Sequence, residues 1–139
     1  MCFMNKKEVA HELLIKNNIN VSYQRMKIME YLIGNHSHPT VVDIYNDLKE
    51  QIPTFSKATV YNTMKLFEEN NLVQSISIKE EEVRFDPDVS FHGHFLCKEC
   101  EKVYDFPVEI QGLKNSFEED FSVENSYYFL KGLCPECKK

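Results

Sequence analysis

The sequence predicts an α+β protein of two modules: four helices closed by a β-hairpin, then short strands clasped by cysteines. Three observations predict this. Apolar residues recur at helical spacing through the first half, an alternating stretch with an acidic turn follows the fourth helix, and two Cys-x-x-Cys knuckles stand at Cys97–Cys100 and Cys134–Cys137. The expected division is 1–86 and 87–139. At 139 residues, 42% hydrophobic and 27% charged, the chain has the composition of a globular protein, with room for one ordinary domain or two small ones.

In the first half, Val9, Ala10, Leu13 and Leu14 keep one helical face. A second helix starts at a cap on Ser22, with Ile28, Met29, Leu32 and Ile33 inward. His36-Ser37-His38-Pro39 breaks the pattern, because the residue before proline is pushed towards extended backbone. Thr40 caps a third helix with Asp43 as the return half of a capping box, and Ile44, Tyr45 and Leu48 form its apolar side. Pro53 is expected to end it.

A fourth helix runs from a cap at Ser56. At 100° per residue, Val60, Met64 and Phe67 share a core-facing stripe, which leaves Ala58, Tyr61, Asn62 and Lys65 on the opposite side. A small residue, an aromatic, an amide and a cation on the exposed start of a helix fit a major groove: Asn towards adenine, Tyr against a thymine methyl, Lys towards phosphate or guanine. The plain alternative is a solvated helix face. Leu72 to Ile78 then alternates, Glu80, Glu81 and Glu82 make an acidic turn, and Val83 to Asp86 returns, so a hairpin follows the exposed helix as in a winged helix. Three carboxylates at the tip would repel phosphate.

The second half reads as strands Phe91–Cys97 and Lys102–Phe106, a helix Val108–Phe121, and a strand Val123–Leu133. Four of the five cysteines lie in the knuckles. Without a secretion signal, metal thiolates are a better reading than disulfides, and four thiolates suit a closed tetrahedral zinc site. Thirty-three residues separate Cys100 from Cys134, so the zinc would staple the chain end onto the first strands. Cys2 receives no role. In an extended strand His92 and His94 point to one face and can reach one ion. Spacing does not choose their carboxylate partner among Asp86, Asp88, Glu101 and Asp105, nor a third histidine among His11, His36 and His38.

Net charge is −6, but unevenly placed: residues 1–73 carry eight basic and eight acidic side chains, residues 74–139 eight and fourteen. The neutral first half can still bind nucleic acid if its cations share a face. No apolar run nears 18 residues and the start lacks a signal-peptide stretch, so the chain is expected in the cytoplasm, with no membrane partner. An open metal site could also serve hydrolysis, but no general acid or substrate pocket is apparent and the exposed helix would be left over, so no enzyme is expected.

From about Lys7 to Cys137 the sequence resembles the ferric uptake regulator family of bacterial metal-dependent repressors. The resemblance rests on Tyr23-Gln24-Arg25, His38-Pro39-Thr40, Ala58-Thr59-Val60-Tyr61-Asn62, Arg84-Phe85-Asp86, His92-Gly93-His94-Phe95-Leu96-Cys97 and Gly132-Leu133-Cys134-Pro135-Glu136-Cys137. It implies a homodimer in which an N-terminal winged helix reads an AT-rich inverted repeat in double-stranded DNA and a small α/β domain pairs the protomers. It implies regulatory Fe2+ or Mn2+ on His38, Asp86, His92, His94 and Asp105, and structural Zn2+ on Cys97, Cys100, Cys134 and Cys137. DNA contacts would come from Tyr23, Arg25, Ser56, Lys57, Ala58, Thr59, Tyr61, Asn62 and Lys65.

Within the family, Val103-Tyr104-Asp105-Phe106 matches the peroxide-responsive repressors, which carry Asp at this ligand position where iron sensors typically carry Glu. The extra histidines of the iron and zinc sensors, before Cys97 and on the last strand, are missing. The resemblance therefore implies a repressor sensing hydrogen peroxide through iron-catalysed oxidation of His38 and His92. The alternative is a reversible iron or manganese uptake regulator of the same family.

Overall fold

The computed structural model describes residues 5–35, 37–79, 82–108, 120–123 and 126–139. They fall into two compact units, Met1–Val89 and Ser90–Lys139. In the first, α1 (Lys6–Lys16), α2 (Tyr23–Leu32), α3 (Val41–Leu48) and α4 (Lys57–Glu69) precede a hairpin of β1 (Gln74–Lys79) and β2 (Glu82–Asp86). Each helix begins where a short polar side chain can accept from an otherwise unpaired amide: Asn5 from Glu8, Ser22 from Arg25, Thr40 from Asp43 and Ser56 from Thr59. At Thr40 the capping box is complete, the Asp43 carboxylate accepting the Thr40 N–H at 3.0 Å.

Helices α1 and α4 end alike. Asn18 and Asn71 take φ of 57° and 59°, and the next amide reaches back five residues, Ile19 to the Leu14 carbonyl and Leu72 to that of Phe67, both at 2.9 Å. This is a Schellman closure with asparagine where glycine is commoner. Between the helices Leu14, Ile28, Leu32, Ile44, Val60, Met64 and Phe67 are completely buried and form one core.

Helix α3 ends at Leu48, ahead of Pro53. The chain turns once Gln51 N–H reaches the Leu48 carbonyl at 3.0 Å, and the turn brings Ile52 into the core. Pro53 fits this stop: it has no N–H to give the Lys49 carbonyl, so the helix cannot run on past its cap at Lys49. The hairpin pairs Gln74 with Asp86 through Ser77 with Val83, and shifts register between Ser77 and Lys79. A bridge between Thr40 and Arg84, with Phe85 N–H on the Pro39 carbonyl at 2.9 Å, ties β2 to the chain ahead of α3. The result is the expected winged helix. Of the acidic turn, Glu80 and Glu81 lie outside the described residues, as do Cys2 and His36.

The second unit is a three-stranded sheet in the order β4-β3-β5, with β3 (Gly93–Cys97) central. Strand β4 (Val103–Phe106) runs antiparallel to it and β5 (Phe129–Gly132) parallel. A single turn of helix, α5 (Pro135–Lys138), closes the chain behind Cys134. Among the described residues of the strand expected over 123–133, Phe129–Gly132 pair with β3 from His94 to Cys97. The helix expected over 108–121 lies mostly outside the described residues. Phe121, Val123, Tyr127, Phe129, Leu130 and Leu133 are exposed. No helix among the described residues is long and apolar enough to cross a membrane.

Candidate metal centres and DNA-reading face

Alternation along β3 separates the chemistry of the second unit onto two faces. His94 lies opposite Asp105 and Leu96 opposite Val103, so these share one face with His92; Gly93, Phe95 and Cys97 point to the other, opposite Phe106 and Tyr104. On the histidine face, Asp105 Oδ1 stands 3.4 Å from His92 Nε2 and 3.4 Å from His94 Nε2. The two rings are 4.4 Å apart between centroids. Sequence spacing left four carboxylates open; the fold brings Asp105 to this pair and leaves Glu101 in the knuckle turn.

His92 Nδ1 lies 2.8 Å from the Ser90 carbonyl. A carbonyl only accepts, so Nδ1 carries a proton and Nε2 is the nitrogen turned towards Asp105, the one left to take a metal. Ser90 is an orienting contact that sequence reasoning missed, and a backbone acceptor leaves no signal in side-chain patterns.

In the first unit, His38 Nε2 lies 3.4 Å from Asp86 Oδ2, with side chains 1% and 0% exposed. Asp86 also accepts the Asp88 N–H at 2.9 Å, while Asp88 itself is exposed. His38 takes φ of 55°, a left-handed conformation disfavoured for a residue with a side chain and more so before proline. Its carbonyl accepts from Arg84 Nη1 at 3.3 Å, which helps hold the strained backbone. A carboxylate and an imidazole buried side by side are costly in water-free surroundings unless a cation, proton or metal joins them. The donor set fits a divalent ion.

The four knuckle sulfurs lie within 4.8 Å of one another. Cys100 and Cys134 sulfurs are 3.8 Å apart, close to the ~3.8 Å edge of a tetrahedron with metal–sulfur bonds of about 2.3 Å. Cys134 N–H points at Cys97 Sγ at 3.4 Å. Amides of Cys100 and then Cys134 push the Cys97 thiol down to about 6, towards the thiolate a metal requires. The Cys134 thiol is lowered too, first by the Cys137 amide and then by the Tyr104 hydroxyl. Tyr104, itself pushed up to about 12 chiefly by that thiolate, is a further contact that sequence reasoning missed. Strand alternation carried the signal, since Tyr104 and Cys97 share a face.

On α4, Val60, Met64 and Phe67 are buried as expected, and Ala58, Tyr61, Asn62 and Lys65 are exposed. Three of these exposed side chains divide between two hollows. Asn62 and Thr59 line one of about 410 Å³ with Arg25 of α2. Tyr61 and Lys65 line another of about 500 Å³ with Val83 and Phe85 of the wing. Arg25 is held by the Asn20 carbonyl, 2.7 Å from Nη1. The Ser56 and Thr59 hydroxyls contact each other at 2.9 Å, and Lys57 Nζ stands 5.7 Å from the Tyr45 ring centre. Tyr23 is apart from this group: its hydroxyl donates to the Gln51 carbonyl at 3.3 Å and its ring borders a hollow with His11 and Lys27.

Residues 16–130 match the model of the ferric uptake regulator family. The peroxide-responsive repressor PerR of Staphylococcus epidermidis is 34% identical over 141 residues, covering 94% of this chain and 93% of that protein. Among solved structures, the ferric uptake regulator of Helicobacter pylori, described as having three functional metal binding sites, superposes with a TM-score of 0.75 at 20% identity, covering 96% of this chain and 92% of that one. PerR from Streptococcus pyogenes, described as a basis for peroxide sensing and gene regulation, superposes at 0.55 with 28% identity, covering 96% and 94%. The chain belongs to the ferric uptake regulator family, whose members are metal-dependent transcription regulators rather than enzymes.

Proposed function

We propose that this chain is a transcriptional repressor that senses hydrogen peroxide through oxidation of its own ligand histidines, releasing DNA and derepressing oxidative-stress genes. The observation that carries the reading is Asp105, whose carboxylate oxygen is shared by His92 and His94 at 3.4 Å each. An aspartate here is the peroxide-responsive pattern of the family, and the name of the Staphylococcus epidermidis relative supports it.

His38, Asp86, His92, His94 and Asp105 hold Fe2+ or Mn2+, and Cys97, Cys100, Cys134 and Cys137 hold Zn2+. Imidazoles with carboxylates suit the first pair of ions, while four thiolates suit zinc. Two of the five regulatory ligands belong to the winged helix and three to the second module. Ligands drawn from both modules onto one ion would favour the DNA-competent arrangement by differential affinity. The protein acts as a homodimer on an AT-rich inverted repeat. Ala58, Tyr61, Asn62 and Lys65 of α4 face the groove, supported by Ser56, Lys57, Thr59 and, from α2, Arg25, while Tyr23, set apart from them, makes a separate DNA contact.

Bound Fe2+ supplies the redox chemistry that activates peroxide, which Mn2+ does not readily do. The chain's part is to present the imidazoles of His38 and His92 beside it. In net terms an imidazole C2–H becomes C2=O, one peroxide oxygen is gained, and the other leaves as water. An oxidised His38 ligates poorly and the arrangement relaxes.

A mobility-shift assay on an AT-rich palindrome tests this. Mn2+ should support binding that survives peroxide, and Fe2+ binding that peroxide abolishes for good. Full recovery on returning metal after peroxide would instead favour a reversible iron or manganese uptake regulator.

A further inference from the structure

On the back of the sheet, away from the histidines, Gly93 pairs with Phe106 across the β3–β4 ladder. A Cβ built on Gly93 would lie 2.9 Å from Phe106 Cδ2 and closer still to Cε2 and Cζ. Favourable carbon contacts begin near 3.5 Å, so even the farthest of these atoms falls short by roughly 0.6 Å. The ring also meets Tyr128 edge-on, centroids 5.8 Å apart at 79°. It lies over the bare glycine backbone, an aromatic covering a strand glycine whose lack of a side chain would otherwise weaken the ladder.

We propose that Phe106 is a positioning residue for the regulatory metal: by occupying the space over Gly93 it fixes the distance between β3 and β4 where His92, His94 and Asp105 converge. This rests on the reading of those three as metal ligands. The next pair in register is His94 with Asp105. Any side chain at 93 must either displace the ring from Tyr128 or push the strands apart, and the adjacent ligand pair moves with them. Metal–ligand distances tolerate only about ±0.2 Å, so a displacement of the size above is felt at the ion. The residue between the two histidines thus acts on the site from the opposite face of the sheet.

The test is Mn2+ affinity of the full-length zinc-loaded protein, with the visible spectrum of the Co2+ form as a readout of ligand geometry. Gly93→Ala should weaken Mn2+ by about tenfold or more, the usual range for residues that orient ligands, and change the Co2+ bands while zinc content stays the same. Gly93→Ala combined with Phe106→Ala should recover part of that loss, because the clash is gone although the ring that sets the strand distance is gone too. Wild-type Mn2+ affinity in Gly93→Ala, or a double variant no tighter than the single, would overturn the proposal. Should Gly93→Ala not fold, Phe106→Leu keeps the glycine and adds no clash; shifted Co2+ bands support the proposal and unchanged bands overturn it. Mn2+ binding that survives His92→Ala would overturn the metal reading itself, and this inference with it.

Discussion

His94 and Asp105 face each other across the β3–β4 ladder with Nε2 and Oδ1 3.4 Å apart. The same carboxylate oxygen serves His92, so the length of one side chain sets where two imidazoles meet. Asp105→Glu lengthens that side chain by one methylene. The variant should keep Mn2+-dependent DNA binding but oxidise its histidines more slowly under Fe2+ and peroxide, measured by mass spectrometry over time. Oxidation at the wild-type rate would mean that the aspartate does not set peroxide reactivity.

Cys97→Ser removes a ligand from a closed four-sulfur site. Because structural zinc contributes folding free energy directly, the variant should lose zinc and the cooperative unfolding of the second unit together. Zinc content by mass spectrometry under native conditions, with thermal unfolding, checks this. A zinc-free variant of undiminished stability would show that the clasp is not structural.

Asn62 and Lys65 lie in different hollows beside α4 and should fail differently. Asn62→Ala should cost about 1–3 kcal/mol of discrimination at one base pair. Lys65→Ala should weaken all sequences alike and lower the salt slope by about one. Fluorescence anisotropy across a salt series separates the two. Equal and sequence-independent losses would contradict the assignment of Asn62 to base reading.

Tyr31 donates to Asp47 Oδ2 at 2.6 Å. Burial first, and then the Asp47 carboxylate, raise its ionisation well above the usual 10.0. A raised folded value means the stabilisation is fully present below pH 10 and lost as pH climbs past it. The Tyr31 Cζ resonance should therefore titrate late, and earlier in Asp47→Asn. At neutral pH Tyr31→Phe should cost about 1 kcal/mol. A Tyr31 that titrates at its ordinary value would contradict the bond.

The caps at Ser22, Thr40 and Ser56, the core stripe of α4 and the wing were legible because each depends on neighbours a few residues away. The end of α3 was legible too, since Pro53 removes the bond to the carbonyl of its cap Lys49, whereas the burial of Ile52 beyond it is a tertiary relationship. The pairing of β5 with β3 joins distant segments, which no local pattern records. At the sites, the residue types and the His-x-His spacing were legible. The sharing of Asp105, the Ser90 carbonyl behind His92 and the Phe106 ring over Gly93 were not, because each is a register or backbone relationship between distant segments. Tyr23 shows the converse: the motif that contains it was legible, but its place in a hollow away from Asn62 was not.

The central claim is that peroxide is read by oxidation of the protein's own ligands, and peptide mass spectrometry of the Fe2+ form after a brief peroxide exposure, with DNA binding followed on the same sample, tests it most directly. The account predicts one added oxygen on peptides containing His38 or His92, rising in step with loss of DNA binding, and neither change in the Mn2+ form. Complete release from DNA with both histidines unmodified would contradict it.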